Sequence, residues 1–238
     1  MSDVNSMKGK RAIVTGGGTG LGAATAIGLA RRGVNIAINY YSSAAAANEV
    51  VAQCQALGVE AFAVKANVAE DADCRALVET AVQKLGGLDV LINNAGITKF
   101  AAHSDLDALD AEDFLRLYKV NVVAVYQMTR AARPHLASSG KGSVVNVSSI
   151  AGVTGIGSSI AYASTKGALN TMTLSLARAL APNIRVNAVC PGYIGSGWFT
   201  KYQGDAVEQQ TADMVAKSVP LKVASMPEDI AESVLFFA

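Results

Sequence analysis

The chain has 238 residues, 51% hydrophobic and only 16% charged, with a formal net charge of +1. That length suits one domain with a sizeable core, and the near-neutral balance excludes the electrostatic footprint of a nucleic-acid binder. No apolar run approaches the roughly 18 residues of a membrane span, and the polar stretch Met1 to Lys10 is no leader peptide, so a cytoplasmic protein without membrane contact is expected. Cys54, Cys74 and Cys190 are scattered, a pattern that fits neither a disulfide framework nor a zinc site, and no metal is expected. A charged fraction below the usual ~25% implies that more surface than usual is covered, as in a homo-oligomer.

The predicted elements alternate. Arg11–Val14 is short, apolar and β-branched, as a buried strand should be. A helix of good formers follows over Ala23–Arg32, closed by Gly33. Strands are then predicted at Val34–Asn39, Val59–Lys65, Leu88–Ile92, Ser143–Val147 and Ile184–Val189. Helices are predicted between them at Ala44–Leu57, Asp71–Leu85, Asp110–Leu136 and Ala161–Leu180. This rhythm predicts one α/β domain over residues 1–238: a doubly wound parallel sheet with helices on both faces. The rhythm breaks over residues 193–219, which hold glycines, Tyr193, Trp198 and Phe199. A segment that leaves the carboxyl end of a strand in such a sheet is placed to cover substrate, and those three aromatics suggest an apolar pocket wall. A further helical pattern opens near Pro227 and is still running at Ala238.

Two motifs carry chemistry. Tyr162 and Lys166 are four residues apart in a predicted helix and so share a face. An ammonium beside a phenol favours the phenolate, and a tyrosine so tuned can exchange a proton with a carbonyl or alcohol oxygen. Ser149, thirteen positions upstream (162 − 149), can orient and stabilise that oxygen. Its neighbour Ser148 is expected on the opposite side if the strand's alternation continues. The second motif, Thr15-Gly16-Gly17-Gly18-Thr19-Gly20-Leu21-Gly22, joins the first strand to the first helix. Strand, glycine turn and helix place free N–H groups and a positive helix end where a pyrophosphate can sit.

Thr15 to Gly22, Asn93-Asn94-Ala95-Gly96, Asn121, Ser149, Tyr162, Lys166 and Pro191-Gly192 follow one another in the order of the short-chain dehydrogenases/reductases, which the chain resembles from about Lys8 to Ala238. The resemblance implies a Rossmann-type fold and hydride transfer between a nicotinamide cofactor and a carbonyl or secondary alcohol. It makes Tyr162 the acid/base, and Lys166 a holder of the nicotinamide ribose. Asn121 would hold a water that links the lysine to solvent. It further implies that Ala95 and Gly96, beside Asn94, leave room for the adenosine ribose. Pro191, Gly192, Ile194 and Ser196 would grip the nicotinamide side. Asn67-Val68 stands where Asp-Val is usual, with Asn67 still able to accept a bond from the adenine amino group through its amide oxygen. Dimers or tetramers are implied, and so is a last strand beyond Ala238, which is expected to lie outside the residues given.

Cofactor choice turns on the end of the second strand, where a carboxylate usually binds the ribose 2′-OH of NAD. The chain has Asn39, Tyr40, Tyr41, Ser42 and Ser43 there, and its next acid is Glu49. Without a carboxylate to repel it, a 2′-phosphate is accommodated, with Asn39, Ser42 and Ser43 as donors, and NADP(H) is expected over NAD(H). The motif order looks like that of the 3-oxoacyl-[acyl carrier protein] reductases. Sugar, polyol or steroid dehydrogenases of the same family are the alternatives, and a non-catalytic dinucleotide-binding regulator is a remote one. An acidic carrier partner would need a basic patch, to which Arg130, Arg133 and Lys141 can contribute if they cluster.

Overall fold

The structure, a computed structural model, describes residues 7–238 apart from the side chain of Phe199. Among these residues six parallel strands form one sheet in the order β3-β2-β1-β4-β5-β6. They are β1 (Arg11–Val14), β2 (Asn35–Tyr40), β3 (Ala61–Lys65), β4 (Val90–Asn93), β5 (Gly142–Val147) and β6 (Ile184–Val189). Every strand boundary falls within two residues of expectation, because β-branched apolar runs ended by turn residues leave the chain little choice.

The runs are apolar throughout because both faces are covered. Along β1, Ala12 and Val14 point into one core while Ile13 points into the other, and Ile36 and Ile38 alternate with Ala37 in the same way. The first core is closed by α1 (Gly20–Arg31), α2 (Ala44–Ala56) and α10 (Pro227–Phe237) through Leu29, Val50 and Leu235. Gly28 lets α10 come close: a Cβ there would lie 2.6 Å from a methyl of Leu235. The second core is closed by α3 (Asp71–Leu85) and α5 (Ala124–Ser138) through Leu77, Met128 and Leu136.

The helix expected over Asp110–Leu136 is three pieces. A capping box at Asp110 and Asp113 starts α4 (Ala111–Tyr118), a π-helical turn spans Lys119–Val123, and α5 follows. Periodicity alone cannot reveal one such widened turn, since the apolar positions on either side remain in helical phase with themselves. Two further helices, α8 (Trp198–Gln203) and α9 (Asp205–Ser218), occupy the segment where the rhythm breaks. Among the described residues, no helix is long and apolar enough to cross a membrane.

Strand order reverses direction between β1 and β4, so the chain leaves these neighbours on opposite sides and opens a crevice beyond their carboxyl ends. The glycine turn and Asn94-Ala95-Gly96 face each other there.

Candidate active site

The floor of the crevice is the turn after β1. Thr15 Oγ1 accepts the N–H groups of Asn94 and Ala95 at 3.0 and 3.1 Å, and Asn94 Nδ2 donates to the carbonyls of Thr15 and Gly16. Asn94 is thus a brace between the two loops rather than a free ligand donor. Gly16 has φ +61°, and a Cβ there would lie 3.1 Å from Ala95 Cα. At Gly22 a Cβ would lie 2.3 Å from Gly16 O, so the turn folds this tightly only with glycine. Helix α1 then begins with Thr19 making no side-chain cap and with no acid in its first turn. Its leading N–H groups and positive end are therefore open to an anion. Loop and helix fit the pyrophosphate of a dinucleotide.

Asn39 corrects one expectation. It is 2% exposed; its Nδ2 donates to the carbonyls of Tyr40, Val64 and Ala66, and its Oδ1 accepts the Gly16 N–H at 3.3 Å. The Asn39 carbonyl also takes the Gly17 N–H. With its donors used on backbone carbonyls, Asn39 cannot bond a 2′-phosphate; it fixes the first turn of the phosphate loop instead. Ser42 and Ser43 stay exposed, Ser43 caps α2 without a side-chain bond, and α2 has no acid in its first turn. Tyr40 is half-buried at the end of β2. Asn67 uses its amide oxygen on the Ala69 N–H at 3.2 Å, which leaves one lone pair for another donor, and Val68 is buried in the second core.

The other wall is α7 (Ile160–Leu180), started by Ser159, whose hydroxyl accepts the Tyr162 N–H. Lys166 is 5% exposed, its Nζ 5.6 Å from the Tyr162 ring centre and donating to Val147 O at 2.8 Å. A Cβ on Gly96 would come 4.0 Å from this Nζ and 3.4 Å from Asn121 Oδ1. The missing side chain leaves space between ammonium and amide.

The electrostatics run opposite to the simple pairing argument. Burial pushes the Tyr162 phenol up to about 12, and the Ser149 hydrogen bond only partly offsets this. Burial likewise pushes Lys166 down to about 8, with the Cys190 thiol nearby pulling the other way. Tyr162 as a whole residue is half-buried, yet the phenol sits in dense surroundings, and desolvation outweighs the cation at this separation. The chain by itself holds Tyr162 as a neutral acid, not a phenolate.

Ser149 does not lie on the strand, since β5 ends at Val147; alternation is not what separates the two serines. Ser148 is buried, with its hydroxyl on Lys166 O, whereas Ser149 opens the turn into α6 (Ala151–Thr154), accepting the Ala151 N–H at 3.1 Å. Its contact to Pro191 O, at 3.5 Å, is long and leaves the hydroxyl proton for the phenol oxygen. Asn121 sits in the π-helical turn, not in a regular helix. It accepts the Ile97 N–H at 2.9 Å and donates to Ile97 O and to Thr165 Oγ1, which in turn bonds Tyr162 O. Asn121 therefore ties the loop after β4 to the turn of α7 that carries both Tyr162 and Lys166.

Pro191, Gly192, Ile194 and Ser196 follow β6, and a Cβ on Gly20 would meet Ser196 Cβ at 3.1 Å. The two ends of the crevice are thus joined. Glu208 of α9 reaches back to accept the N–H groups of Gly197 and Thr200 at 3.0 and 2.8 Å. Burial raises its carboxyl, but these bonds outweigh burial and hold it below the usual carboxylate range. Trp198 lies 6.4 Å from the Tyr162 ring, and Tyr193 OH contacts Glu208 O. The Phe199 side chain is outside the described residues. Phe100 and Tyr202, not anticipated from sequence, join Trp198 here; the i, i+4 spacing of Trp198 and Tyr202 was the available signal. Of the basic residues, Arg130 pairs with Asp71 and shares α5 with Arg133, while Lys141 lies apart from them, beside Lys10 and Arg185 at the amino ends of the strands.

The family model for short chain dehydrogenases matches residues 10–206. A provisionally assigned ketoacyl reductase of the granaticin polyketide synthase from Streptomyces violaceoruber is 43% identical over 94% of this chain and 87% of its own. A short chain dehydrogenase from Burkholderia cenocepacia, solved with NADP, superposes with a TM-score of 0.86 at 36% identity, over 97% of this chain and 90% of its own. An NAD+-bound xylitol dehydrogenase gives 0.88 at 31% identity, over 98% and 93%.

Proposed function

The chain belongs to the short-chain dehydrogenase/reductase family, in its 3-oxoacyl-reductase-like branch, and we propose that it is an NADP(H)-dependent reductase of ketones, a 3-oxoacyl thioester among them. As a member it is an NAD(P)-dependent oxidoreductase acting on CH–OH or C=O. The observation that carries the finer reading is the convergence of Ser149, Tyr162 and Lys166 at one end of a crevice whose other end is an uncapped helix after a glycine turn.

When bound, the nicotinamide supplies or accepts the hydride. Thr15 to Gly22 would hold its pyrophosphate, Lys166 its ribose hydroxyls, and Pro191 to Ser196 its nicotinamide side. Ser149 orients the substrate oxygen, and Tyr162, protonated across the neutral range, gives that oxygen its proton during reduction. In the reverse direction the phenol must first lose its proton, which its high pKa opposes. Residues 193–219 serve as the substrate lid, with Glu208 holding α8 down through the N–H groups of its first turn.

Preference for NADP(H) rests on exposed Ser42 and Ser43 at an acid-free helix start. Phosphate attraction there comes from N–H groups and hydroxyls, as neither Gly16–Gly22 nor Ile38–Ser43 contains Lys or Arg. Solved relatives carrying each nicotinamide form make this a question of measurement. Titration by fluorescence is expected to give a lower Kd for NADPH than for NADH; the reverse order overturns the preference. Tyr162→Phe is expected to lower kcat by about 10²–10⁴-fold while NADPH binds as before, and retained turnover refutes the assignment.

A second copy of the chain is the proposed partner. Leu115, Tyr118, Val123 and Tyr126 form an exposed apolar stripe along α4, the π turn and α5, with exposed Leu174 on neighbouring α7.

A further inference from the structure

The reaction reading leaves the skeleton of the ketone undefined, and the surface beside the phenol bears on it. That surface is built from rings. The Tyr162 and Trp198 ring centres are 6.4 Å apart, Trp198 and Tyr202 5.5 Å, and Tyr202 and Phe100 5.9 Å, at interplanar angles of 55°, 58° and 53°. Trp198 and Tyr202 lie four residues apart on α8 and share a face, while Phe100 arrives from the loop after β4. A continuous aromatic wall therefore leads outward from the proton donor. All four rings are half-buried, so each retains surface for a ligand.

Two of the charged groups near this wall are engaged elsewhere. Lys99, next to Phe100, pairs with Asp113. Glu208 is spent on the N–H groups at the start of α8. The third, the Lys201 ammonium, lies 5.3 Å from the centre of the Tyr202 ring, on an exposed residue. A sugar or polyol brings several hydroxyls that need partners once desolvated, and among the described residues this wall presents mainly ring surface. A flat ring, by contrast, gains from tilted or offset aromatic contact beyond simple area burial.

We propose that the substrate is a ketone borne on a flat, apolar ring system, aryl or fused bicyclic, which packs against Trp198 and Tyr202 with its carbonyl at Ser149 and Tyr162. This rests on the reading of Tyr162 as the proton donor. The step balances: hydride adds to the carbonyl carbon, the C=O π bond opens, and the oxygen takes the phenol proton. The products are a secondary alcohol and the oxidised cofactor.

The test compares NADPH-dependent reduction of 2-tetralone, an open-chain ketone of equal carbon number, an acetoacetyl thioester and a keto-sugar by the intact chain. A kcat/KM for the bicyclic ketone about tenfold above the open-chain one is expected. Trp198→Ala and Tyr202→Leu should each lower kcat/KM for the ring substrate by roughly three- to tenfold, through KM, while the thioester changes little. Equal or better turnover of the open-chain ketone, thioester or sugar overturns the ring assignment, and so does a proportional loss with every substrate in the variants. If nicotinamide binds and no carbonyl compound is reduced, the redox reading itself falls and takes this proposal with it. Trp198 is the chain's single tryptophan, which gives a readout that needs no variant. 2-Tetralone titrated into the NADP+ complex should quench its fluorescence saturably and the open-chain ketone should not; no quenching by 2-tetralone counts against stacking.

Discussion

Lys166 is a charge held where water is scarce, and this has a cost that pH reveals. Its ammonium loses its proton near 8 in the folded chain against 10.5 ordinarily. Between these values the unfolded chain binds more protons than the folded one, so this residue's contribution makes stability rise with pH across that window. Below it the full desolvation cost is present, offset in part by the bond to Val147 O. Lys166→Met should therefore lose activity yet be no less stable than the native chain at pH 7.5 in urea unfolding. The native chain should gain on the variant as the pH rises from about 8 to about 10. The pairing of Tyr162 with Lys166 was legible because four-residue spacing dictates a shared helix face. The direction of their pKa shifts was not, since it depends on burial contributed by distant elements. Asn39 was misread for the same reason: its three acceptors sit at Tyr40, Val64 and Ala66, and no local pattern announces the last two.

At the scale of elements, the turn carrying Ser149 and the helix carrying Tyr162 are pressed together backbone to backbone. A Cβ on Gly152 of α6 would lie 2.4 Å from the Lys166 carbonyl carbon and 2.6 Å from the Gly167 nitrogen, neither of which can swing aside. Gly152→Ala should force α6 off α7 at a cost of about 1–3 kcal/mol, which lowers Tm by roughly 2–12 °C for a chain of this size. An unchanged Tm by calorimetry would show that the two elements yield more easily than their contact indicates. Strands and most helices were readable, since apolar runs and glycine stops act locally. The π-helical turn and α6 were not. A single widened turn leaves flanking periodicity intact, and a four-residue helix is shorter than any window that reports a period.

The molecule as a whole joins the half that carries the glycine turn and the half that carries Ser149, Tyr162 and Lys166 across one reversal of strand order, and its outer face carries the apolar stripe. If the proposed pairing of two copies uses this stripe, Leu115→Glu together with Val123→Glu should lower the mass read by sedimentation while leaving the circular dichroism of the sheet and helices unchanged. An unaltered mass in the double variant would refute the stripe as a contact between copies. The widened turn at Lys119–Val123 ties that face to the interior beside Tyr162 and Lys166, because Val123 looks outward from the same five residues that turn Asn121 inward. Loss of one residue there would restore regular winding and rotate everything upstream by roughly 100° relative to α5. Either the amide would leave Ile97 and Thr165, or the stripe would be split in two around the helical barrel. Insertions and deletions in these five positions are therefore constrained twice over, and the length of this short segment should be harder to vary than its composition.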